Sequence, residues 1–325
     1  MRVLVPGGAG YVGSHACKAL AKAGHLPVAY DDLRTGAREL VRFGPLEVGA
    51  LEDTARVREA LRTHRCEAVI HFAASAYVGE SVTEPRKYVR NNVIGTASLL
   101  DAMLDEGVGR IVFSSTCAVY GIPPEVPIHE GLPLAPINPY GASKRYVEEI
   151  LQAYDRAYGL RSVALRYFNA AGADPDGEIG EIHDPETHLI PLAIDAALGH
   201  APPLQVLGTD YPTPDGTAVR DYVHVTDLAT AHVAALDHLA GGGESVVMNL
   251  GTGSGTSVLE VIAAVERATK KPVPHTLGPR RAGDPPVLVA DPARARARIG
   301  WSPEWSSIDR IVETASRWHL RQRRS

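Results

Sequence analysis

The opening MRVLVPGGAGYVG constrains the fold more than any other part of the chain. An apolar run, Arg2 to Val5, gives way to glycines spaced G-x-x-G-x-x-G at Gly7, Gly10 and Gly13, and a helical pattern follows at once. A tight turn from a buried strand into a helix needs positions without Cβ, both to reach left-handed backbone angles and to let the helix approach the strand. Such a unit needs a sheet around it. Short β-branched runs recur at 26–30, 45–49, 68–74, 110–115 and 161–169, several apolar at every position, as strands buried on both faces are. Helical patterns near 11–23, 53–63, 84–106 and 140–158 fill the intervals. This alternation predicts an α/β fold, a doubly wound parallel sheet of Rossmann type.

After Asn169 the texture changes. The stretch AAGADPDGEIGEIHDPETH is rich in Gly, Pro and acids and predicts a long functional loop. Core-quality patterns return in TAVRDYVHVTDLATAHVAALDHL and SVVMNLGTG, so we assign 1–168 with about 217–250 to the sheet domain. Residues 169–216 and 251–325 form the smaller domain in this reading, which suits a chain of 325 residues, long for one compact core. Within it TSVLEVIAAVERAT, 256–269, predicts an amphipathic helix capped at Thr256 or Ser257.

The formal net charge of −5 is scattered, which disfavours a nucleic-acid or anionic-membrane partner. Cys17, Cys66 and Cys117 are widely spaced and odd in number, so neither a disulfide framework nor a metal set is expected. With no signal-peptide pattern and no apolar run of about 18 residues, we expect a cytoplasmic protein.

The glycine turn also suits a ligand, because it aims a helix N-terminus at a pyrophosphate whose close approach the missing side chains permit. Asp31, closing the next strand in VAYDDL, is placed to accept hydrogen bonds from an adenosine ribose and to repel a 2′-phosphate. The expected cofactor is NAD. Arg34 keeps the phosphorylated cofactor open, its other reading being a solvated loop charge. Farther on, NPYGASKRYVEE sets Tyr140 and Lys144 four apart at a helix start, where both can face one pocket. An ammonium beside a phenol lowers the phenol's pKa and makes it a usable acid or base. Alone this spacing is a weak motif; a cofactor turn upstream gives it meaning.

With HFAASAYVGES, NNVIGT, FSSTCAVYG, PYGASK and LRYFNAAGA, the chain resembles the extended short-chain dehydrogenase/reductase family. THLIPL, DYPTPDGTAVRDYVHVTDLA, NLGTGSGTSVLEV and RRAGDPP resemble its UDP-glucose 4-epimerase (UDP-galactose 4-epimerase) branch, and the likeness runs in order over essentially the whole chain. The resemblance implies an isomerase of galactose metabolism that inverts carbon 4 of a UDP-hexose through a 4-keto intermediate, with NAD tightly held. It implies Tyr140 as acid/base at the sugar 4-hydroxyl, Lys144 as its tuner and nicotinamide-ribose contact, and Thr116 as proton relay. Around the cofactor it places Gly7, Gly10, Tyr11, Val12, Gly13, Asp31, Asp32 and Leu51, then Phe72, Ala73, Ala74, Asn92, Ser114 and Tyr167. Around the UDP-sugar it places Asn169, His188, Leu189, Gln205 and Leu207, with Arg220, Arg281 and Asp284 at diphosphate and ribose and Leu288 at the sugar. A homodimer through helices 84–106 and 140–158 is also implied.

Some positions depart from the pattern. Ala50 stands where many relatives carry an Asp that meets adenine, and Ala76 and Tyr77 stand where a lysine is often found. Leu288 replaces a bulky aromatic and leaves room for UDP-N-acetylhexosamines; UDP-pentoses stay open as substrates. A dehydratase needs carboxylates after the threonine, where Cys117 and Ala118 stand here. A noncatalytic NAD sensor is expected to lose Tyr140, Lys144 or Thr116, and all are present.

Overall fold

The computed structural model describes residues 1–281 and 283–322, so 323–325 of the predicted smaller domain lie outside the described residues. The main sheet comprises β1 (Arg2–Pro6), β2 (Leu26–Asp31), β3 (Leu46–Val48), β4 (Ala68–His71), β5 (Arg110–Thr116), β6 (Arg161–Tyr167) and β7 (Val246–Leu250). Their spatial order is 3-2-1-4-5-6-7, and every neighbouring pair is parallel.

Side-chain alternation explains why helices cover both faces. Val3, Val5, Ile70 and Val112 point to one face, against Cys17 and Leu20 of the Tyr11–Lys22 helix and Leu228, Ala235 and Leu239 of the Val225–Ala240 helix. Leu4, Val69, Ile111 and Phe113 point to the other, against Val57, Leu61, Leu99, Met103, Val147 and Leu151 of the helices Thr54–His64, Gly95–Asp105 and Pro139–Tyr158. A period of two along each strand thus feeds two cores, each fully buried aliphatic side chain contributing about 1.5–3 kcal/mol. The strand order reverses between β1 and β4, which opens a crevice at their C-terminal ends.

Three predicted elements differ in detail. The run 68–74 leaves the sheet after His71 because the N–H groups of Phe72 and Ala73 both donate to the Pro6 carbonyl. The run 161–169 ends at Tyr167; Asn169–Ala171 pairs instead with Tyr222–His224. The helical stretch 84–106 is broken into Pro85–Tyr88, a π-helical Val89–Ile94 and Gly95–Asp105, with Val78–Thr83 before it.

A second core joins the helices Leu189–Leu198, Val258–Thr269 and Ile308–Gln322 through Ile190, Ile194, Val261, Val265 and Ile311. Ser257 caps the middle one in a reciprocal box with Glu260. Beside this core Leu204–Leu207 pairs with His275–Gly278, and Val219–Arg220 lies between Thr256–Ser257 and Val287–Leu288. The chain then returns to the main sheet, where Ala295 and Trp301 share a core with Met248. Among the described residues no helix is long and apolar enough to cross a membrane.

Burial holds His15 and His232 down at about 4, and His71 and His224 at about 3. The unfolded chain, with imidazoles near 6.5, takes up these protons first, so their contribution is complete above about 6.5 and is lost as pH falls toward the folded values. We predict a urea midpoint that drops steeply below pH 6.5, at up to about 1.4 kcal/mol per pH unit for each histidine. A midpoint unchanged from pH 7 to 5 would contradict this.

Candidate active site

The glycine turn is built by contact. Gly7 has φ +82°, and a Cβ there would lie 2.5 Å from the Ala73 nitrogen. A Cβ on Gly13 would lie 2.0 Å from the Gly7 carbonyl oxygen, so the helix presses its backbone onto the strand exit. Gly10 is the N-cap of the Tyr11–Lys22 helix, which has no capping side chain and no acid in its first turn. Free N–H groups and the positive helix end make this a cradle that fits a diphosphate. Val12 is half-buried, while the Tyr11 hydroxyl donates to the Gly172 carbonyl at 2.6 Å and ties the turn to the chain beyond β6.

Asp31 is buried at the end of β2, where Ala9 and Leu33 N–H groups donate to its two oxygens at 3.0 and 2.9 Å. Burial raises its pKa against those two bonds. Each oxygen keeps a lone pair for a hydroxyl. Asp32 pairs with Arg34 at 2.6 Å, and Arg34 also donates to Asn91 at 2.6 Å, so the arginine is engaged rather than merely solvated. Leu51 is buried in the main core, and the Tyr30 hydroxyl donates to the Ala50 carbonyl at 3.0 Å.

Across the crevice, half-buried Phe72, Ala73 and Ala74 lead from β4 into a loop that Asn92 pins. Its Oδ1 accepts from the Ser75 N–H at 2.8 Å, and its Nδ2 donates to the Ser75 carbonyl and to Ser143 Oγ at 3.0 Å. Asn92 thereby joins this loop to the helix that carries Tyr140.

That helix starts where NPYG dictates. Asn138 caps it, accepting from Gly141 N–H at 2.8 Å, and Pro139 occupies the first turn. A Cβ on Gly141 would lie 2.5 Å from the Ala118 carbonyl oxygen, so glycine lets the helix settle on the end of β5. Lys144, buried, donates to the Ser114 carbonyl at 2.8 Å, and the Tyr140 phenol lies close enough to Thr116 for the hydroxyl to oppose the rise of its pKa. One helical step of four residues, about 6 Å, matches two strand residues, about 6.6 Å, which is why Tyr140 and Lys144 meet alternate residues of β5.

Burial, then Tyr167, push the Tyr140 phenol up, and Thr116 opposes them. Burial pulls Lys144 down to about 7 against the attraction of Glu148. The ammonium bonds the strand rather than the phenol, so both groups are dry and neighbouring but not paired to each other. Tyr167, half-buried, shares a 2.5 Å hydrogen bond with Ser114 Oγ, and burial lifts it to about 12.

The other predicted residues fall into three groups. Arg220 donates to Asp284 at 2.7 Å and lies near Cys117, whose thiol it stabilises as the anion against the larger effect of burial. Leu288 pairs in register with Arg220 and packs against the cluster that contains Phe168 and Tyr120; Asn169 begins the short strand beside it, its N–H donating to the Asp221 carbonyl. His188, exposed, hydrogen-bonds buried Glu181, and Leu189 packs on the second core. Gln205 and Leu207 lie on the strand paired with His275–Gly278, Gln205 exposed and Leu207 half-buried, and Arg281 is exposed nearby in sequence to Asp284.

Residues 3–251 match the NAD dependent epimerase/dehydratase family. The chain belongs to that family. A UDP-glucose 4-epimerase of Rhizobium meliloti is 53% identical over 320 residues, 98% of this chain and 97% of that protein. The UDP-glucose 4-epimerase of Brucella ovis, solved in complex with NAD, is 55% identical with a TM-score of 0.95, covering 97% of each chain. That of Bifidobacterium longum, solved with NAD+ and UDP, is 38% identical with a TM-score of 0.94, covering 99% of each. Within the epimerase/dehydratase family the chain groups with the UDP-glucose 4-epimerases.

Behind the Tyr140 helix lies a network that motif reading missed. Glu148, one turn beyond Lys144, accepts from Arg166 Nε at 2.9 Å and from Ser115 Oγ at 2.5 Å. Arg166 also donates to Tyr120 at 2.9 Å, and Tyr120 to Asn249 at 2.7 Å. The i, i+4 spacing of Lys144 and Glu148 was a signal for it; the arginine's place required the sheet.

The glycines separate by contact. Gly13→Ala drives a methyl into the Gly7 carbonyl and should cost about 1–3 kcal/mol. At Gly10 the added Cβ meets only Gly7 O at 3.2 Å, so Gly10→Ala should cost less than about 1 kcal/mol. Thermal denaturation of the two variants checks the order, and equal losses would refute it.

Proposed function

We propose that this protein interconverts UDP-glucose and UDP-galactose by NAD-dependent inversion at carbon 4. One observation carries the reading: Tyr140 and Lys144 meet Thr116 and Ser114 at the crevice beside a diphosphate cradle, in a chain 53% identical over nearly its full length to a UDP-glucose 4-epimerase. Bound NAD supplies a reversible hydride acceptor for carbon 4 and a positive ring whose field favours the ionised phenol. Tyr140 takes the 4-hydroxyl proton as the sugar becomes a 4-keto form, and returns it to the same oxygen after the sugar has turned over in the pocket to present its other face. Thr116 donates to the phenolate and passes the proton. Lys144, held near 7, binds the nicotinamide ribose and exchanges its proton near neutrality.

In this proposal 1–168 with 217–250 hold NAD, and 169–216 with 251–325 hold the UDP-sugar. Gly7, Gly10, Gly13 and the helix N-terminus take the pyrophosphate and Asp31 the adenosine ribose. Arg220 and Asp284 serve the substrate's diphosphate and ribose, and Asn169 and Leu288 the sugar. Leu288 favours a second reading, turnover of UDP-N-acetylhexosamines, because it is smaller than an aromatic and packs on the Phe168 cluster beside Arg220. Free, buried Cys17 and Cys66 support a cytoplasmic setting.

Tyr140→Phe should lower kcat by about 10²–10⁴ while the NAD released by heat-denatured protein stays at the wild-type amount. Near-normal turnover would sink the assignment. An activity screen over UDP-glucose, UDP-galactose, their N-acetyl forms and UDP-pentoses decides the sugar.

We also propose a homodimer. Val89, Ile137 and Tyr146 are exposed at 49%, 51% and 54% and line one shallow cavity along the predicted helix pair. An apolar patch of this kind marks an interaction surface. Val89→Arg with Tyr146→Arg should give a monomer by light scattering, and an unchanged mass would reject this face.

A further inference from the structure

The glycine turn offers a diphosphate backbone N–H groups and a helix end but no cationic side chain, since neither PGGAGYVG (6–13) nor FAASAYVG (72–79) contains lysine or arginine. Cations close by are committed elsewhere. Lys18 is held by Asp174, Asp176 and Glu178, and His15 is buried and neutral, bonded to the Tyr11 carbonyl. Among the described residues one imidazole remains, and it comes from the long loop before the Leu189–Leu198 helix. The His183 ring meets the Tyr11 ring edge-on at 6.3 Å and the Tyr77 ring at 6.1 Å. It therefore stands between the first residue of the cradle helix and the loop that follows β4.

We propose that His183 is a binding residue for a nucleotide diphosphate, closing the crevice over the helix N-terminus. Its Nδ1 lies 2.9 Å from Glu181 Oε1, off the line of an aligned hydrogen bond, and 3.9 Å from Glu186 Oε1. These contacts fix the ring by one nitrogen and leave Nε2 with no hydrogen-bond partner among the described residues, a donor to spare for phosphate oxygen. Glu181 is itself buried and shared with His188. Burial opposes charge on His183, but Glu181 and Glu186 outweigh it and raise its pKa to about 9. The other groups facing it are His188 on its own loop, Tyr11 on the helix and Tyr77 on the β4 loop, both phenols pushed up by burial and thus neutral.

The inference rests on the nucleotide-binding reading above, and the diphosphate can belong to NAD or to the UDP-sugar. Full-length wild type, His183→Ala, His183→Gln and His183→Lys are compared by NAD released on heating and by calorimetric titration with UDP. The Ala and Gln variants should lose at least about tenfold in affinity for one of the two, and Lys should recover most of it. Loss confined to NAD assigns the cofactor's diphosphate; loss confined to UDP assigns the substrate's. Gln keeps the size of the side chain, so it remains informative if Ala fails to fold. Wild-type binding of both NAD and UDP in the Ala and Gln variants overturns the inference alone. A wild type that binds neither overturns the functional reading as well.

Discussion

The contact of Gly13 on the Gly7 carbonyl is the constraint on which the rest depends. No side chain fits between the two backbones, so the helix is held with its N-terminal N–H groups at the mouth of β1. That placement also positions what lies on either side. Ala9, inside the turn, donates to Asp31 on β2, and Pro6, just before it, accepts from both Phe72 and Ala73 beyond β4. Three strand ends are thereby locked to one loop, and the crevice between β1 and β4 has walls before any ligand enters it.

The Tyr140 side of the crevice follows a different logic, that of charge in a dry place. Lys144 and the phenol of Tyr140 are both disfavoured as ions by burial. Behind the same helix, buried Glu148 and Arg166 each satisfy the other, and Ser115 and Tyr120 fill their remaining sites. Removing one member of such a pair typically costs about 3–5 kcal/mol, since the survivor is left buried and unpaired. The pair ties the Tyr140 helix to β5 and β6, so the positions of Thr116 and Tyr140 rest on it.

Much of this was legible in the residue order, and the failures are informative. The strands of the first half announced themselves as apolar runs because parallel strands are buried on both faces, and the helix in 256–269 announced its start by a cap at Thr256 or Ser257, of which the structure uses Ser257. The end of β4 did not, because it is decided by a carbonyl at Pro6, more than sixty positions away. The π-helical turn at Val89–Ile94 has no periodic signature and gives no warning in a pattern of apolar residues. In the site, the spacing of Tyr140 and Lys144 predicted a shared pocket. It did not show that the ammonium would bond Ser114, because that depends on which strand lies beneath the helix. His183 was invisible for a related reason: its neighbours Tyr11 and Tyr77 are distant in sequence, and the resemblance assigns only His188 in that loop.

The two protonation patterns together say how the crevice can be filled. On the Tyr140 side burial disfavours charge, so an incoming positive charge would favour the ionised phenol. On the cradle side the helix end and the carboxylate-anchored His183 favour an incoming negative charge. A ligand positive at one end and anionic in its middle satisfies both at once, and an oxidised nicotinamide dinucleotide has that distribution. Under the proposed function this bears on Tyr140: Tyr167, Thr116 and Cys117 around the phenol are uncharged and the Lys144 ammonium is bonded to Ser114, so the dinucleotide would add the positive charge that favours the ionised phenol. In that reading the charges lining the crevice couple the readiness of Tyr140 to take a proton to occupancy of the cradle.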